Sequence, residues 1–185
     1  MKSAFEALGF SQTVADLSAQ VRDLYLADQI PWVLGYSGGK DSSATLQIVW
    51  LALESLPPSQ LTKPVHVIST DTLVENPIVA AWVTRSLEAM AAAAILKALP
   101  IQPHRLAPTL SDTFWVNLIG KGYPAPRPKF RWCTERLKIK PSNAFITSVV
   151  RDNGEAILVL GTRKAESAKR AAVMEGLEKH RVREG

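Results

Sequence analysis

The stretch Trp32-Val-Leu-Gly-Tyr-Ser-Gly-Gly-Lys-Asp-Ser-Ser43 limits what this chain can fold into more than any other. A short apolar run ends in a hydroxyl, two glycines, a lysine, an aspartate and two more hydroxyls, and a helical pattern starts at once. Such a segment reads as a strand, a tight turn and a helix N-terminus. Gly38 and Gly39 admit positive φ and let backbone N–H groups approach an anion with no Cβ in the way. Those amides add to the positive end of the helix dipole, so phosphate is the natural guest. Lys40 brings a full charge, and the hydroxyls of Ser37, Ser42 and Ser43 bring further donors. The turn is not a Walker A loop, which needs four residues between its first glycine and Gly-Lys and a Ser or Thr after the lysine. It is not G-x-G-x-x-G either. A plain surface turn is the competing reading, and six specified positions in one strand–helix context weigh against it.

Periodicity places this turn in an alternating pattern. Residues 13–29 read as an amphipathic helix with Val14, Leu17, Val21, Leu24 and Tyr25 on one face, closed by Pro31. Strands are expected at 32–36, 65–70, 102–106 and 156–160, and helices at 41–55, from Pro77 to about Leu99, and at 111–119. Two more helices, 134–139 and 142–151, are expected to be broken by Pro141, and a polar, basic helix is expected over 165–179. Apolar strands alternating with helices predict an α/β fold, a parallel twisted sheet flanked by helices on both faces. Ligands of such sheets sit beyond the carboxyl ends of the strands. Three of those ends carry the polar residues of interest: Ser37–Ser43, Ser69–Asp71 and Gly161–Arg163. The expected division is an N-terminal helical segment, 1–30, and a main domain, 31–180.

Composition narrows the class. The chain has 185 residues, 46% apolar and 21% charged, which suits an ordinary globular domain. No window holds the roughly 18 uninterrupted apolar residues of a membrane span. One cysteine, Cys133, forbids an internal disulfide and points to a reducing compartment, the cytoplasm by default. The net charge of +5 is compatible with a polyanionic partner, or only with solubility.

Several residues carry chemistry in this reading. Lys40, Asp41 and Arg163 are the catalytic candidates, with Asp41 also the candidate magnesium ligand. Tyr36, Ser37, Gly38, Gly39, Lys40, Asp41, Ser42, Ser43, Ser69, Asp71, Gly161 and Arg163 form the candidate ATP and pyrophosphate site. Asp71 can equally cap the turn before Pro77. Arg127, Lys129, Arg131, Arg136 and Lys138, interleaved with Trp132, suit a nucleic-acid backbone, as do Lys169 and Arg170. An acidic protein or plain solvation suits them too. Cys133, among these cations, is the candidate redox or sulfur residue. The three histidines, His66, His104 and His180, lack metal-ligand spacing and read as structural or solvated.

Four segments together resemble the PAPS reductase-like branch of the PP-loop ATP pyrophosphatase superfamily: Tyr36–Ser43, Ser69–Pro77, Arg131–Pro141 and Gly161–Arg170. Within it, Asp71–Pro77, Asp112–Pro126 and Arg131–Lys138 are similar to the DndC family of DNA phosphorothioation sulfurtransferases. The resemblance runs almost the whole length from about residue 30. It implies the adenine nucleotide alpha hydrolase-like fold, cleavage of ATP to AMP and pyrophosphate, and sulfur insertion into the DNA backbone. It also implies Mg2+, a cysteine desulfurase as sulfur donor, other proteins of the modification complex as partners, and a [4Fe-4S] cluster. Such clusters want about four cysteines, and this chain has one, which reads as that of an N-terminal fragment. An enzyme of activated sulfate and a non-catalytic nucleotide-sensing subunit are the alternative readings.

Overall fold

Four parallel strands lie in the order β3-β2-β1-β4: β1 Trp32–Gly35, β2 Val65–Thr70, β3 Ile101–Leu106 and β4 Ile157–Leu160. The computed structural model describes residues 8–163, 171–172 and 175–176. The helix expected over 165–179, with Lys169, Arg170 and His180, falls largely outside them.

The order follows from the direction in which the chain walks. From β1 it passes through α2 (Lys40–Glu54) to β2, and through α3 (Pro77–Leu96) to β3. It then returns across the sheet through α4 (Trp132–Thr134) and α5 (Lys140–Asn153) to β4, on the far side of β1. Right-handed crossovers put connections running in opposite directions on opposite faces. Accordingly Leu46, Val49 and Leu53 of α2 and Leu87, Met90 and Ala94 of α3 pack with Trp32, Leu34, Val65 and Val67 on one face. Val149, Phe145 and Ile146 of α5 pack with Val33 and Ile68 on the other.

Individual residues explain local departures from the expected pattern. Pro103 lies inside β3, opposite Val67, which a central strand would not tolerate. β3 is an edge, so the N–H that proline lacks is not missed by the sheet. The first helix, α1 (Gly9–Leu26), buries Tyr25 fully and packs Val21 against the core, but it leaves Leu17 and Leu24 of its expected apolar face exposed. Tyr25 donates its hydroxyl to the Lys63 carbonyl at 2.7 Å, and the buried Lys63 ammonium pairs with Asp28 at 2.6 Å. The helices expected either side of Pro141 are continuous. A π-helical turn, Glu135–Ile139, joins α4 to α5, and Lys140 N–H bonds back to the Glu135 carbonyl. The wider turn relieves the clash of the proline ring with the turn before it. Likewise 111–119 is a 3-10 turn, Leu110–Asp112, and a π turn, Val116–Gly120, rather than one α-helix.

By length and composition α3 is apolar enough to cross a membrane, with 20 residues and a mean hydropathy of 1.4. Arg85 and Glu88 interrupt it. In the fold its Leu87, Met90 and Ala94 face the sheet.

Candidate functional site

β1 and β4 are neighbours, although the chain visits two other strands between them. The strand order therefore reverses between them, and the carboxyl ends at such a switch point diverge into a crevice. The turn after β1 and the loop after β4 both open there.

The turn after β1 is held by its own hydroxyls. Tyr36 N–H extends the sheet by one bond to the Ile68 carbonyl, 2.8 Å. Buried Ser42 donates to the Gly39 carbonyl at 2.9 Å and accepts from Ser37 N–H at 3.2 Å. The Ser37 and Ser42 oxygens are 3.1 Å apart, and Gly39 N–H reaches Ser37 Oγ at 3.3 Å. Ser42 thus ties the loop shut, a role that its sequence position, reading as one more phosphate donor, conceals. The backbone amides are what remain for an anion. The first bond of α2 runs from Ser43 N–H to the Gly39 carbonyl, 3.0 Å, which leaves the N–H groups of Lys40, Asp41 and Ser42 with no intrahelical acceptor.

Gly38 is required twice over. Its φ is +72°, and a Cβ there would lie 2.6 Å from the Trp82 ring of α3. Gly161, at the end of β4, packs backbone to backbone on α2. A Cβ on it would sit 2.7 Å from both the Asp41 carbonyl oxygen and Thr45 Oγ1. That close approach carries Arg163 to Asp41, with Nε 3.0 Å from Oδ1. Lys40 is exposed beside them.

The end of β2 contributes differently. Ser69 is buried, and Asp71 anchors its own turn by accepting from Leu73 N–H at 2.8 Å, with Leu73 at φ +62°. Asp71 also pairs with Arg105 at the end of β3. Burial pushes the Asp71 carboxyl up, and the hydrogen bonds from Arg105 and Leu73 outweigh it, so the group lies below its ordinary value. Arg105 escaped the sequence reading because a lone arginine in an ambiguous strand carries no signal. The register that sets it opposite Ser69 is what makes it part of the site.

These ends border one cavity of about 710 Å3, within the usual range for small-molecule sites. Tyr36, Ser37, Ser42, Ser69, Asp71, Gly161 and Thr162 line it, with Val79 and Val83 from α3 on one side and Ser142, Asn143 and Ile146 from α5 on the other. Arg105 and Lys138 are the cations in its wall. Lys138, expected on a polyanion surface, is instead 3.3 Å from Glu75 at this cavity.

The remaining cations of the basic segment divide in two. Arg136 gives Nη1 to Asp112 at 2.7 Å and Nη2 to the Tyr123 hydroxyl at 2.7 Å, and Lys140 also pairs with Asp112. Asp112 is buried. The Lys140 bond pulls its carboxyl down, burial opposes, and the Arg136 bond helps to hold it at about 2. Arg136 is therefore committed within the fold. Arg127, Lys129 and Arg131 are exposed. Cys133 is half-buried in α4. His66 and His104 lie 3.1 Å apart against Phe145, a packed pair on the α5 face.

Among the described residues, no group of three or more His, Cys, Asp or Glu is placed to hold a metal. One carboxylate, Asp41, beside the free amides of α2 suits a magnesium ion that arrives on a nucleotide's phosphates. A [4Fe-4S] cluster does not fit this chain, whose one cysteine cannot supply the ligand set.

NAD+ synthetase from Burkholderia pseudomallei superposes with a TM-score of 0.50 at 14% identity, over 90% of this chain and 74% of that one. The fold is adenine nucleotide alpha hydrolase-like, a parallel four-stranded sheet flanked by helices. The U34-tRNA thiolase NcsA from Methanococcus maripaludis, solved with its [4Fe-4S] cluster, superposes with a TM-score of 0.48 at 14% identity, over 94% of this chain and 53% of that one. No family model matches. The uncharacterized protein MJ0066 of Methanocaldococcus jannaschii is 26% identical over 151 residues, 82% of this chain and 26% of that protein. The chain thus spans about a quarter of the length of this curated relative.

Proposed function

We propose that this chain is an ATP pyrophosphatase, cutting ATP to AMP and pyrophosphate, and that it serves as the ATP-dependent sulfurtransferase component of DNA backbone phosphorothioation in the cytoplasm. The observation that carries this reading is the meeting of Ser37–Ser43 with Gly161–Arg163 where the strand order reverses. Three unbonded amides, Lys40 and a helix N-terminus there offer an anion cradle, and pyrophosphate is the anion that ATP would leave in it. Arg163, held by Asp41, takes up charge in this reading as the bond between the α and β phosphates breaks. Magnesium on the phosphates would neutralise part of the same charge.

The chemistry needs this activation. An oxygen of a phosphodiester is a poor leaving group. A non-bridging oxygen attacks the α-phosphorus of ATP, and pyrophosphate departs. A cysteine desulfurase supplies the sulfur as a persulfide, and two thiols reduce it to the sulfide level and leave as a disulfide. This sulfur then attacks the DNA phosphorus and expels AMP, which carries that oxygen away. Sulfur replaces one oxygen, and the oxidation state of phosphorus is unchanged. Arg127, Lys129 and Arg131 are the proposed contacts to DNA, and other proteins of the modification complex are the proposed partners. The resemblance of Asp71–Pro77, Asp112–Pro126 and Arg131–Lys138 supports the choice of DNA.

Product identification decides the matter. With DNA and the sulfur donor present, ATP should yield AMP and pyrophosphate, and the activity should be lost in Lys40→Ala and when DNA is left out. Release of ADP and inorganic phosphate sinks the assignment. Turnover of adenylyl sulfate without DNA would transfer the chain to activated-sulfate chemistry, and binding without turnover in the whole protein would make it a nucleotide sensor.

A further inference from the structure

Residues 110–132, between β3 and α5, build a surface that does not line the nucleotide cavity. Its base is a set of packed rings. Phe114 stacks on Trp132 with centroids 5.4 Å apart and planes 22° from parallel, and Tyr123 meets Trp132 edge-on at 5.6 Å. Trp132 is buried and its indole N–H bonds to the Pro124 carbonyl at 2.9 Å. The Asp112 ion pairs with Arg136 and Lys140 brace the same segment. On this base stands Trp115, edge-on to Phe114 at 5.1 Å and 58% exposed. Phe130, 44% exposed, closes a tight turn with Arg127 through two backbone hydrogen bonds of 3.0 and 2.8 Å. Arg127, Lys129 and Arg131 are exposed in the same stretch, and none of them is in an ion pair among the described residues.

An exposed indole on a rigid aromatic base loses little entropy when a flat ring covers it. The unpaired cations lie on the same segment, with Arg131 adjoining Trp132 of the aromatic base, and together they call for a ligand that alternates flat rings with negative charge. We propose that this face binds single-stranded DNA, with Trp115 as the ring on which an unpaired base stacks and Arg127, Lys129 and Arg131 as its phosphate contacts. Bases in a duplex already stack on one another, so the indole selects strands that are melted or splayed. The inference rests on DNA as the partner named above, and it is independent of the fate of ATP.

Binding of a labelled single strand, an abasic strand of equal length and a duplex tests it, with wild type, Trp115→Ala and Trp115→Phe compared. Wild type should prefer the base-bearing strand to the abasic one by about tenfold. Trp115→Ala should abolish that preference and Trp115→Phe should keep most of it, which also shows that the fold survives. Arg131→Gln should weaken all three ligands and flatten the salt dependence, which the Trp115 variants leave alone. Equal affinity of wild type for the abasic and base-bearing strands overturns the proposal. So does a duplex bound as tightly as a single strand, or polyglutamate competing as well as DNA, which would mark an acidic protein partner. ATP binding, titrated without DNA, should be unchanged in Trp115→Ala. Its absence in wild type would sink the ATP assignment and leave this one standing.

Discussion

The guanidinium Nε of Arg163 lies 3.0 Å from Oδ1 of Asp41, across the crevice between the carboxyl ends of β4 and β1. The two residues are more than a hundred positions apart in the chain, and Gly161 is what lets them meet. Both side chains are partly exposed, so the pair contributes little to stability, about 0.5 kcal/mol. Its value lies in fixing where the arginine's charge stands. Arg163→Ala should lower the rate of AMP formation about 100-fold with a much smaller change in nucleotide affinity, and should melt within about a degree of wild type. Asp41→Asn keeps the side-chain shape but loses the charge that holds the guanidinium, so it should fall between the two. Steady-state kinetics with thermal melts check both statements.

Gly161→Ala should behave in the opposite way. A Cβ 2.7 Å from the Asp41 carbonyl forces the β4 loop off α2, because neither backbone can give. Overpacking of this kind costs about 2 kcal/mol, so Tm should drop by several degrees and activity should fall with it. Gly38→Ala meets the Trp82 ring and a disfavoured φ together, and should lose nucleotide binding more than stability. Nucleotide titration and thermal melts on the two variants separate the effects.

Ser42 and Ser43 are adjacent hydroxyls with different work. Ser42 closes the turn through Gly39 and Ser37, whereas Ser43 enters the loop's bonding only through its backbone. Ser42→Ala should therefore weaken ATP binding by about tenfold, the value of one to two hydrogen bonds. Ser43→Ala should change it less. Equal effects in the two titrations would show that the hydroxyls contact the ligand directly.

Acid should unfold the segment around Asp112 late. Its carboxyl sits at about 2 when folded, against an ordinary 3.8. A depressed acid stabilises the fold at pH above its unfolded value, and that contribution is lost as pH falls from about 3.8 towards 2. In Asp112→Asn the wild-type loss of stability over this window should disappear, and the variant should be the less stable at neutral pH, where Arg136 and Lys140 keep a neutral partner. Denaturant unfolding at a series of pH values measures both.

His66 and His104 give a second pH window. Burial pushes both imidazoles down, and the charge of His104 adds to the effect on His66. The unfolded chain binds protons more readily than the folded one here, so stability should decline as pH drops below about 6.5. His66→Phe should soften that decline in the same unfolding series.

Most elements, and the tight turn after β1, were legible in the residues because they are local. β2 needs only an apolar, β-branched run, and Gly38 and Gly39 mark a tight turn at the head of a helix. The sheet flanked on both faces follows from alternation and chain direction. What stayed hidden depends on partners distant in sequence. Nothing near Arg136 says that it is committed to Asp112, 24 residues away, or that Lys138, two residues on, turns to Glu75 at the cavity. Arg105 joins the site only through the register of β3 on β2. Pro141 reads as a helix breaker until a π turn absorbs it. Sequence by itself settled which backbone each segment prefers, since propensity and periodicity act within a few residues. The tertiary structure alone decided which charges are neutralised and which stay free, since that depends on distances the fold sets.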